Sequence, residues 1–168
     1  MGILKRIIGI LANLCYVGIS VYLLVALPIL FGYKPLVVLS GSMEPTYKTG
    51  AIIYYEASND IKKGDVIVFE SGDDSFVTHR VDDIINNKYV TKGDANETVD
   101  AELIEIQSIK GKAMDFSIPY LGYYIQFVNT NLWLIVIVVF ILVSEFLVSN
   151  LKTFDIDSKK WKGEKNEK

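Results

Sequence analysis

The sequence predicts a mostly β domain, built as small antiparallel sheets or a partly open barrel, flanked by two transmembrane α-helices. Of the 168 residues 51% are hydrophobic, and the mean hydropathy is +0.30, values that indicate the membrane class rather than a wholly soluble domain. Two long stretches, Ile7–Tyr33 and Phe116–Ser144, contain no charged residue. Between them, short β-rich runs alternate with turn signals, as is typical of an antiparallel sheet or barrel.

The first apolar stretch predicts transmembrane helix 1 over residues 7–32. It is longer than the ~20 residues that span a bilayer. It also exceeds the ~7–15-residue apolar core of a cleaved signal peptide, and it does not end in a small-x-small cleavage site. We therefore expect an uncleaved anchor. Lys5 and Arg6, within the short segment 1–6, keep the N-terminus cytosolic by the positive-inside rule.

The second apolar stretch is interrupted. Residues 118–131 are rich in Tyr and contain Pro and Gly, a composition that predicts an interfacial segment. Residues 132–151 are long enough for transmembrane helix 2, and Glu145 within them is expected near the cytosolic end, in reach of water or Lys152. The Lys-rich residues 152–168 predict a charged, disordered cytosolic tail.

Residues 33–117 are predicted to form the extracytoplasmic β domain. Asn86-Asn87 is a hairpin turn signal within it. The predicted strands are Leu36–Leu39, Ala51–Glu56, Val66–Phe69, Phe76–Ile85, Lys88–Lys92 and Glu105–Phe116. Residues 33–131 hold nine Lys/Arg and fifteen Asp/Glu, a net charge of −6, which argues against a nucleic-acid partner. The one cysteine, Cys15, excludes an internal disulfide and a Cys-based metal site.

The turn Leu39–Pro45 is the first candidate for chemistry. Gly41 can adopt backbone angles closed to other residues, and Pro45 fixes its own φ. Such a turn can hold the Ser42 hydroxyl where a base reaches it. The same composition also suits a plain polar turn between a membrane helix and a strand.

A serine nucleophile needs a positioned base, and the chain has one histidine, His79. Strand alternation puts His79 on one face and Arg80 on the other. Lys92 or Lys88 is the alternative base, in a Ser–Lys dyad. Asp94 and Asp100 follow in a loop, where carboxylates commonly form Asx turns.

Four motifs together resemble the type I signal peptidases. Ser40–Pro45 looks like the nucleophile box of the branch found in the eukaryotic ER, archaea and some Gram-positive bacteria. Thr78–Val81 is similar to the base motif of that Ser–His branch, whereas typical bacterial and organellar members carry lysine. Thr91–Asp100 resembles the Lys-Gly-Asp box, with Ala95 where Asn is common, and Gly64–Phe69 matches a further box. The resemblance covers roughly residues 37–123.

The resemblance implies a membrane-bound serine endopeptidase that removes signal peptides having small residues at positions −1 and −3. It implies Ser42 as nucleophile and His79 as base. It favours Asp100 as the acid that orients His79 and Asp94 as a supporting acid, a choice that the residues alone leave open. It further implies an oxyanion site formed by the Ser40 hydroxyl and the Ser42 N–H.

No metal or organic cofactor is implied. The expected partners are signal-peptide-bearing preproteins and the lipid bilayer, with the Sec translocon or accessory subunits as further candidates. The expected location is the plasma membrane, with the catalytic domain extracytoplasmic and both termini cytosolic. The competing interpretations are the Ser–Lys dyad in the same fold and a non-catalytic, membrane-tethered β module that binds secreted proteins.

Overall fold

The computed structural model describes residues 2–72 and 75–166, with side chains described up to residue 149. The chain divides into two compact units. One unit, Leu24–Asn129, contains the β-sheet and all the candidate site residues. The other unit combines the two ends of the chain.

The predicted N-terminal apolar helix is confirmed. Helix α1 (Gly2–Ala26) continues into a 3-10 turn, Leu27–Phe31, which ends at Gly32 with a φ of 89°. Glycine suits this left-handed position, and its N–H satisfies carbonyls of the turn. The helical stretch Gly2–Phe31 has a mean hydropathy of 2.3, and its length and composition suit a membrane span.

The predicted second span is supported less clearly. The structure has helix α2 (Leu121–Thr130) and helix α3 (Trp133–Asn166), separated by a short break. Leu121–Thr130 and Trp133–Ser149 are long and apolar enough for a second membrane span only when the two helices together form one broken span. Most of the segment predicted to be interfacial is therefore the helix α2, in which Leu121 and Ile125 pack against buried residues of the sheet unit.

The disorder predicted for the tail 152–168 is not found in the backbone that the structure describes. Helix α3 continues to Asn166, while residues 167–168 lie outside the described part of the chain. Lys and Glu are good helix formers, and extending an existing helix avoids the cost of nucleation. The high charge of the tail indicated disorder, but this continuity from the apolar part of α3 outweighs it.

The sheet unit is built on one antiparallel sheet of six strands rather than on several small sheets. The strands are β1 (Lys34–Val37), β2 (Ile52–Glu56), β3 (Val66–Glu70), β4 (Phe76–Ile85), β5 (Lys88–Lys92) and β6 (Ile109–Ile118). Their spatial order is β1-β2-β6-β3-β4-β5. Glu105–Phe116 was predicted as one strand, but a 3-10 turn, Ile106–Ser108, precedes β6.

Both faces of the central strands are buried. In β3, Val66 and Val68 join one core cluster, whereas Ile67 and Phe69 join another on the opposite face, because strand side chains alternate. The first of these clusters also contains Met43 and Tyr47, which follow Ser42 in the chain; its members are Met43, Tyr47, Ile53, Tyr55, Val66, Val68 and Ala113. The loop that carries Ser42 is thereby anchored to the sheet.

Candidate active site

The Ser42 loop is a compact turn that is held by its own backbone hydrogen bonds and by two buried side chains. The N–H of Glu44 donates to the Gly41 carbonyl (3.0 Å), and the N–H of Tyr47 donates to the Met43 carbonyl (2.9 Å). The side chains of Met43 and Tyr47 are 1% and 0% exposed. Burial of these two side chains fixes the loop, while Ser42 itself stays half-buried and accessible.

A continuous hydrogen-bond chain runs from Ser42 through His79 to Asp100. His79 lies on β4, paired with Ile67 of β3, and is 9% exposed. Its Nδ1 lies 2.6 Å from Asp100 Oδ2, and its Nε2 lies 3.1 Å from Ser42 Oγ. Because a carboxylate only accepts, the Nδ1–H donates to Asp100, which leaves the Nε2 lone pair to accept from the Ser42 hydroxyl. This geometry activates a serine for nucleophilic attack.

Asp94 lies in a different network, on the far side of β4. The guanidinium of Arg80 donates to both carboxylate oxygens of Asp94, at 2.8 and 2.7 Å, and to the Gly64 carbonyl at 2.8 Å. The Thr46 hydroxyl also donates to Asp94. The hydrogen bonds from Arg80 hold the pKa of Asp94 below its ordinary value. Asp94 thus links the Ser42 loop, through Thr46, to β4.

The loop that carries Asp94 and Asp100 also contacts the backbone of Ser42 directly. The N–H of Ala95 donates to the Ser42 carbonyl at 2.8 Å. A Cβ on Gly93 would lie 2.6 Å from that same carbonyl oxygen. Glycine at this position therefore permits the close approach of the two loops.

Ser40 and the two lysines complete the residues singled out from the sequence. Ser40 Oγ lies 3.3 Å from Ser42 Oγ, close enough to contact a group bound to the Ser42 hydroxyl oxygen. Lys92 Nζ donates to the Glu97 carbonyl at 3.2 Å, and Lys88 Nζ pairs with Glu105 at 2.7 Å. The two lysines of the Ser–Lys alternative thus have partners away from Ser42, so the geometry does not favour that dyad.

A cavity of about 580 Å³ opens over the hydroxyls of Ser40 and Ser42. Segment 36–40, which runs through the end of β1, and the start of β4 form its sides. Its lining is mainly apolar and comprises Leu36, Val37, Val38, Leu39, Ser40, Ser42, Met43, Tyr47, Ser75, Phe76, Val77, Thr78, His79 and Asn96. The cavity therefore places an apolar groove beside Ser42 and His79.

Sequence reasoning missed two contributors, Thr46 and Thr91. Thr91 donates to Asp100 Oδ2 at 2.6 Å, and Thr46 donates to Asp94. Thr91 is the first residue of the Thr91–Asp100 motif and Thr46 directly follows Ser40–Pro45, but an ordinary threonine carries no signal that assigns it a role. Among the described residues, no group of three or more His, Cys, Asp or Glu side chains is arranged to hold a metal ion.

Comparison with known protein families identifies the family of this chain. The family model "Signal peptidase, peptidase S26" matches residues 11–102, a range that includes Ser42, His79, Asp94 and Asp100. The chain belongs to this family.

The chain is also similar in sequence to individual members of the family. The chain is 37% identical over 99 residues to signal peptidase I W of Bacillus subtilis, covering 55% of this chain and 52% of that protein. It is 35% identical over 101 residues to the human signal peptidase complex catalytic subunit SEC11C, covering 51% and 52%. For the sec11 catalytic subunit of Sclerotinia sclerotiorum, identity is 33% over 113 residues, covering 58% and 65%. The matches span about half to two thirds of the length of these relatives.

Proposed function

We propose that this chain is a membrane-bound serine endopeptidase that removes N-terminal signal peptides from secreted preproteins by a Ser–His–Asp mechanism. The observation that carries the proposal is the unbroken hydrogen-bond chain from Ser42 through His79 to Asp100, at 3.1 and 2.6 Å, at the edge of an apolar groove. Membership of the peptidase S26 family supports the same conclusion.

In this mechanism Ser42 Oγ attacks the scissile carbonyl while His79 Nε2 accepts its proton. Asp100 holds the ring with Nδ1–H towards itself and stabilises the imidazolium that forms. His79 then returns the proton to the leaving amine, and the acyl-enzyme remains on Ser42. A water molecule, deprotonated by the same ring, releases the signal peptide and regenerates the serine.

The oxyanion site is assigned to the Ser42 N–H and the Ser40 hydroxyl. The distance of 3.3 Å between the two serine hydroxyls supports this assignment, because the developing oxyanion lies one bond beyond the carbon that Ser42 attacks. Asp94 is assigned a supporting role. Its two-point ion pair with Arg80 and its bond from Thr46 hold the Ser42 loop against β4.

The substrate class follows from the groove and the relatives. A mainly apolar groove beside Ser42 suits an extended peptide with small uncharged side chains, such as the region before a signal-peptide cleavage site. The relatives are named as signal peptidases or catalytic subunits of a signal peptidase complex. Preproteins are therefore the proposed substrates, and accessory subunits or the Sec translocon are candidate partners.

The proposed topology places the catalytic domain, residues 33–117, outside the plasma membrane and both termini in the cytosol. Residues 7–32 form the first span and 132–151 the second, with 118–131 at the interface. Lys5 and Arg6 before the first span, and the Lys-rich residues after the second, support this orientation by the positive-inside rule. Anchoring the enzyme and substrate in one membrane raises their effective concentration.

Cleavage of a model preprotein by the full chain in liposomes tests the proposal. We expect Ser42→Ala and His79→Ala to abolish cleavage and Lys92→Ala to retain it, because Lys92 bonds to the Glu97 carbonyl. Matched thermal unfolding curves serve as the folding control. Cleavage that requires Lys92 and not His79 would indicate a Ser–Lys dyad. A binding module would retain preprotein binding in every variant, with no cleavage by the wild type.

A further inference from the structure

Thr91 is a fully buried polar residue beside the catalytic chain. It lies on β5, where it pairs with Val81 of β4, two residues beyond His79. Apart from tyrosines, two polar side chains of the described residues are buried, those of His79 at 9% and Thr91 at 0% exposed. A buried hydroxyl needs a hydrogen-bond partner. Both of these buried polar groups bond to Asp100.

The two bonds converge on a single oxygen. Thr91 Oγ1 lies 2.6 Å from Asp100 Oδ2, and His79 Nδ1 lies 2.6 Å from the same atom. The backbone adds a third link, because the N–H of Asp100 donates to the Thr91 carbonyl at 2.8 Å. Thr91 therefore holds both the main chain and the side chain of Asp100.

These two hydrogen bonds to Thr91 restrict the movement of Asp100, which lies in a loop. The side chain of Asp100 is 24% exposed, and no strand contains the residue. A carboxylate in such a loop can rotate towards water unless a fixed donor retains it. An ionised carboxylate only accepts hydrogen bonds, so the Thr91 hydroxyl must be a donor, and its rigid, β-branched side chain on β5 provides a fixed reference point.

We propose that Thr91 is a positioning residue of the active site, whose hydroxyl holds the Asp100 carboxylate in the orientation that meets the imidazole of His79. This inference rests on the proposed Ser–His–Asp function. It assigns to Thr91 no contact with the substrate. Its effect passes through Asp100 to the ring that must accept the proton of Ser42.

Kinetics of the full chain in detergent or liposomes provide the first test. Thr91→Val removes the hydroxyl and keeps the shape, and we expect kcat to fall about 10- to 100-fold, the range for losing a hydrogen bond to a charged group. KM should change less than about twofold, since the hydroxyl does not face the substrate. Thr91→Ser keeps the donor and should retain kcat within about threefold of wild type.

Two comparisons distinguish positioning from a merely structural role. Thr91→Val should have no further effect on the residual kcat of Asp100→Asn, because the two residues act as one unit. If Thr91→Val prevents folding, the pair Thr91→Ser and Thr91→Ala isolates the hydroxyl in the same way. A wild-type kcat in Thr91→Val, or a separate and additive loss in Asp100→Asn, would overturn the proposal.

A spectroscopic readout separates this proposal from the proposed function. The chain has one histidine, so in protein labelled with ¹⁵N-histidine every imidazole signal belongs to His79. We expect the Nδ1–H resonance of wild type at low field, its loss or displacement in Thr91→Val, and its retention in Thr91→Ser. An unchanged resonance in Thr91→Val overturns the positioning role. A wild type that shows the expected resonances but cleaves no preprotein contradicts the proposed function alone.

Discussion

The carbonyl oxygen of Ser42 accepts a 2.8 Å hydrogen bond from the backbone N–H of Ala95. This bond joins the loop of Ser42, the proposed nucleophile, to the loop that carries Asp94 and Asp100. The position of Ser42 therefore depends on a segment about fifty residues further along the chain, and changes to that segment's backbone should alter catalysis without touching a reacting atom.

Gly93→Ala tests this dependence. The new Cβ would lie 2.6 Å from the Ser42 carbonyl oxygen, so the two loops must separate, and a misplacement of about 1 Å typically costs about 100-fold in rate. We expect a fall in kcat of that order, measured on a model preprotein. Gly72→Ala is the control, since no described residue beyond the chain neighbours of Gly72 lies within 4 Å of the Cβ it adds. Equal rates for the two variants would contradict the proposed loop contact.

Ser40→Ala tests the proposed oxyanion site. Loss of one oxyanion donor typically lowers kcat by about 100- to 1,000-fold, through about 3 kcal/mol of transition-state stabilisation. We expect that loss with little change in KM or in the temperature of unfolding, because Ser40 is exposed. Ser75→Ala, which also lines the groove, serves as the control. A Ser40→Ala enzyme with wild-type kcat would exclude this hydroxyl from the oxyanion site.

The ion pair between Arg80 and Asp94 predicts a pH dependence of stability. Arg80 holds the pKa of Asp94 below its ordinary value, so the carboxylate stabilises the fold above its unfolded pKa of about 3.9. This contribution is lost as pH falls through the lower folded pKa. We expect the difference in unfolding free energy between wild type and Asp94→Asn to be largest near pH 7 and to shrink below about pH 4.

Urea unfolding at several pH values measures this difference. Asp82→Asn, at an exposed position of β4, is the matched control for removal of one surface carboxylate. A gap between wild type and Asp94→Asn that stays constant down to pH 2 would show that the ion pair with Arg80 does not contribute to stability.

Tyr47 anchors the Ser42 loop from below, and its hydroxyl should contribute to stability. The side chain is fully buried, and its hydroxyl donates to the Met114 carbonyl at 2.7 Å. Burial raises the pKa of Tyr47 to about 12, so the group remains a neutral donor. Tyr47→Phe leaves that carbonyl without its donor, and we expect a loss of about 1–2 kcal/mol in the free energy of unfolding by urea.

Tyr120→Phe is the control for Tyr47→Phe, because Tyr120 is 64% exposed. We expect its unfolding free energy to stay within about 0.5 kcal/mol of wild type. Equal stability of the two variants would mean that the Tyr47 hydroxyl has no structural role.

Local patterns predicted much of the fold. The run of apolar residues after Arg6 predicted the N-terminal helix, and the Asn86-Asn87 turn, where both residues have positive φ, predicted the hairpin of β4 and β5. Other local predictions differed from the structure. A 3-10 turn precedes β6, and helix α3 extends into residues expected to be disordered. The joining of six strands in one sheet was not predicted, because strand pairing between distant segments leaves little trace in local sequence.

The sequence alone shows which candidate catalytic groups are present: one histidine, a serine in a Gly-bordered turn, and two acids six residues apart. Alternation along β4 also determined that His79 and Arg80 face opposite sides. The partners of the two acids depend on how distant segments of the chain pack together. Asp100 meets His79 and Asp94 meets Arg80, because the loop after β5 folds back against both faces of β4. A choice of this kind depends on distances of 2.6–2.8 Å between segments far apart in the chain, which spacing along the sequence does not specify.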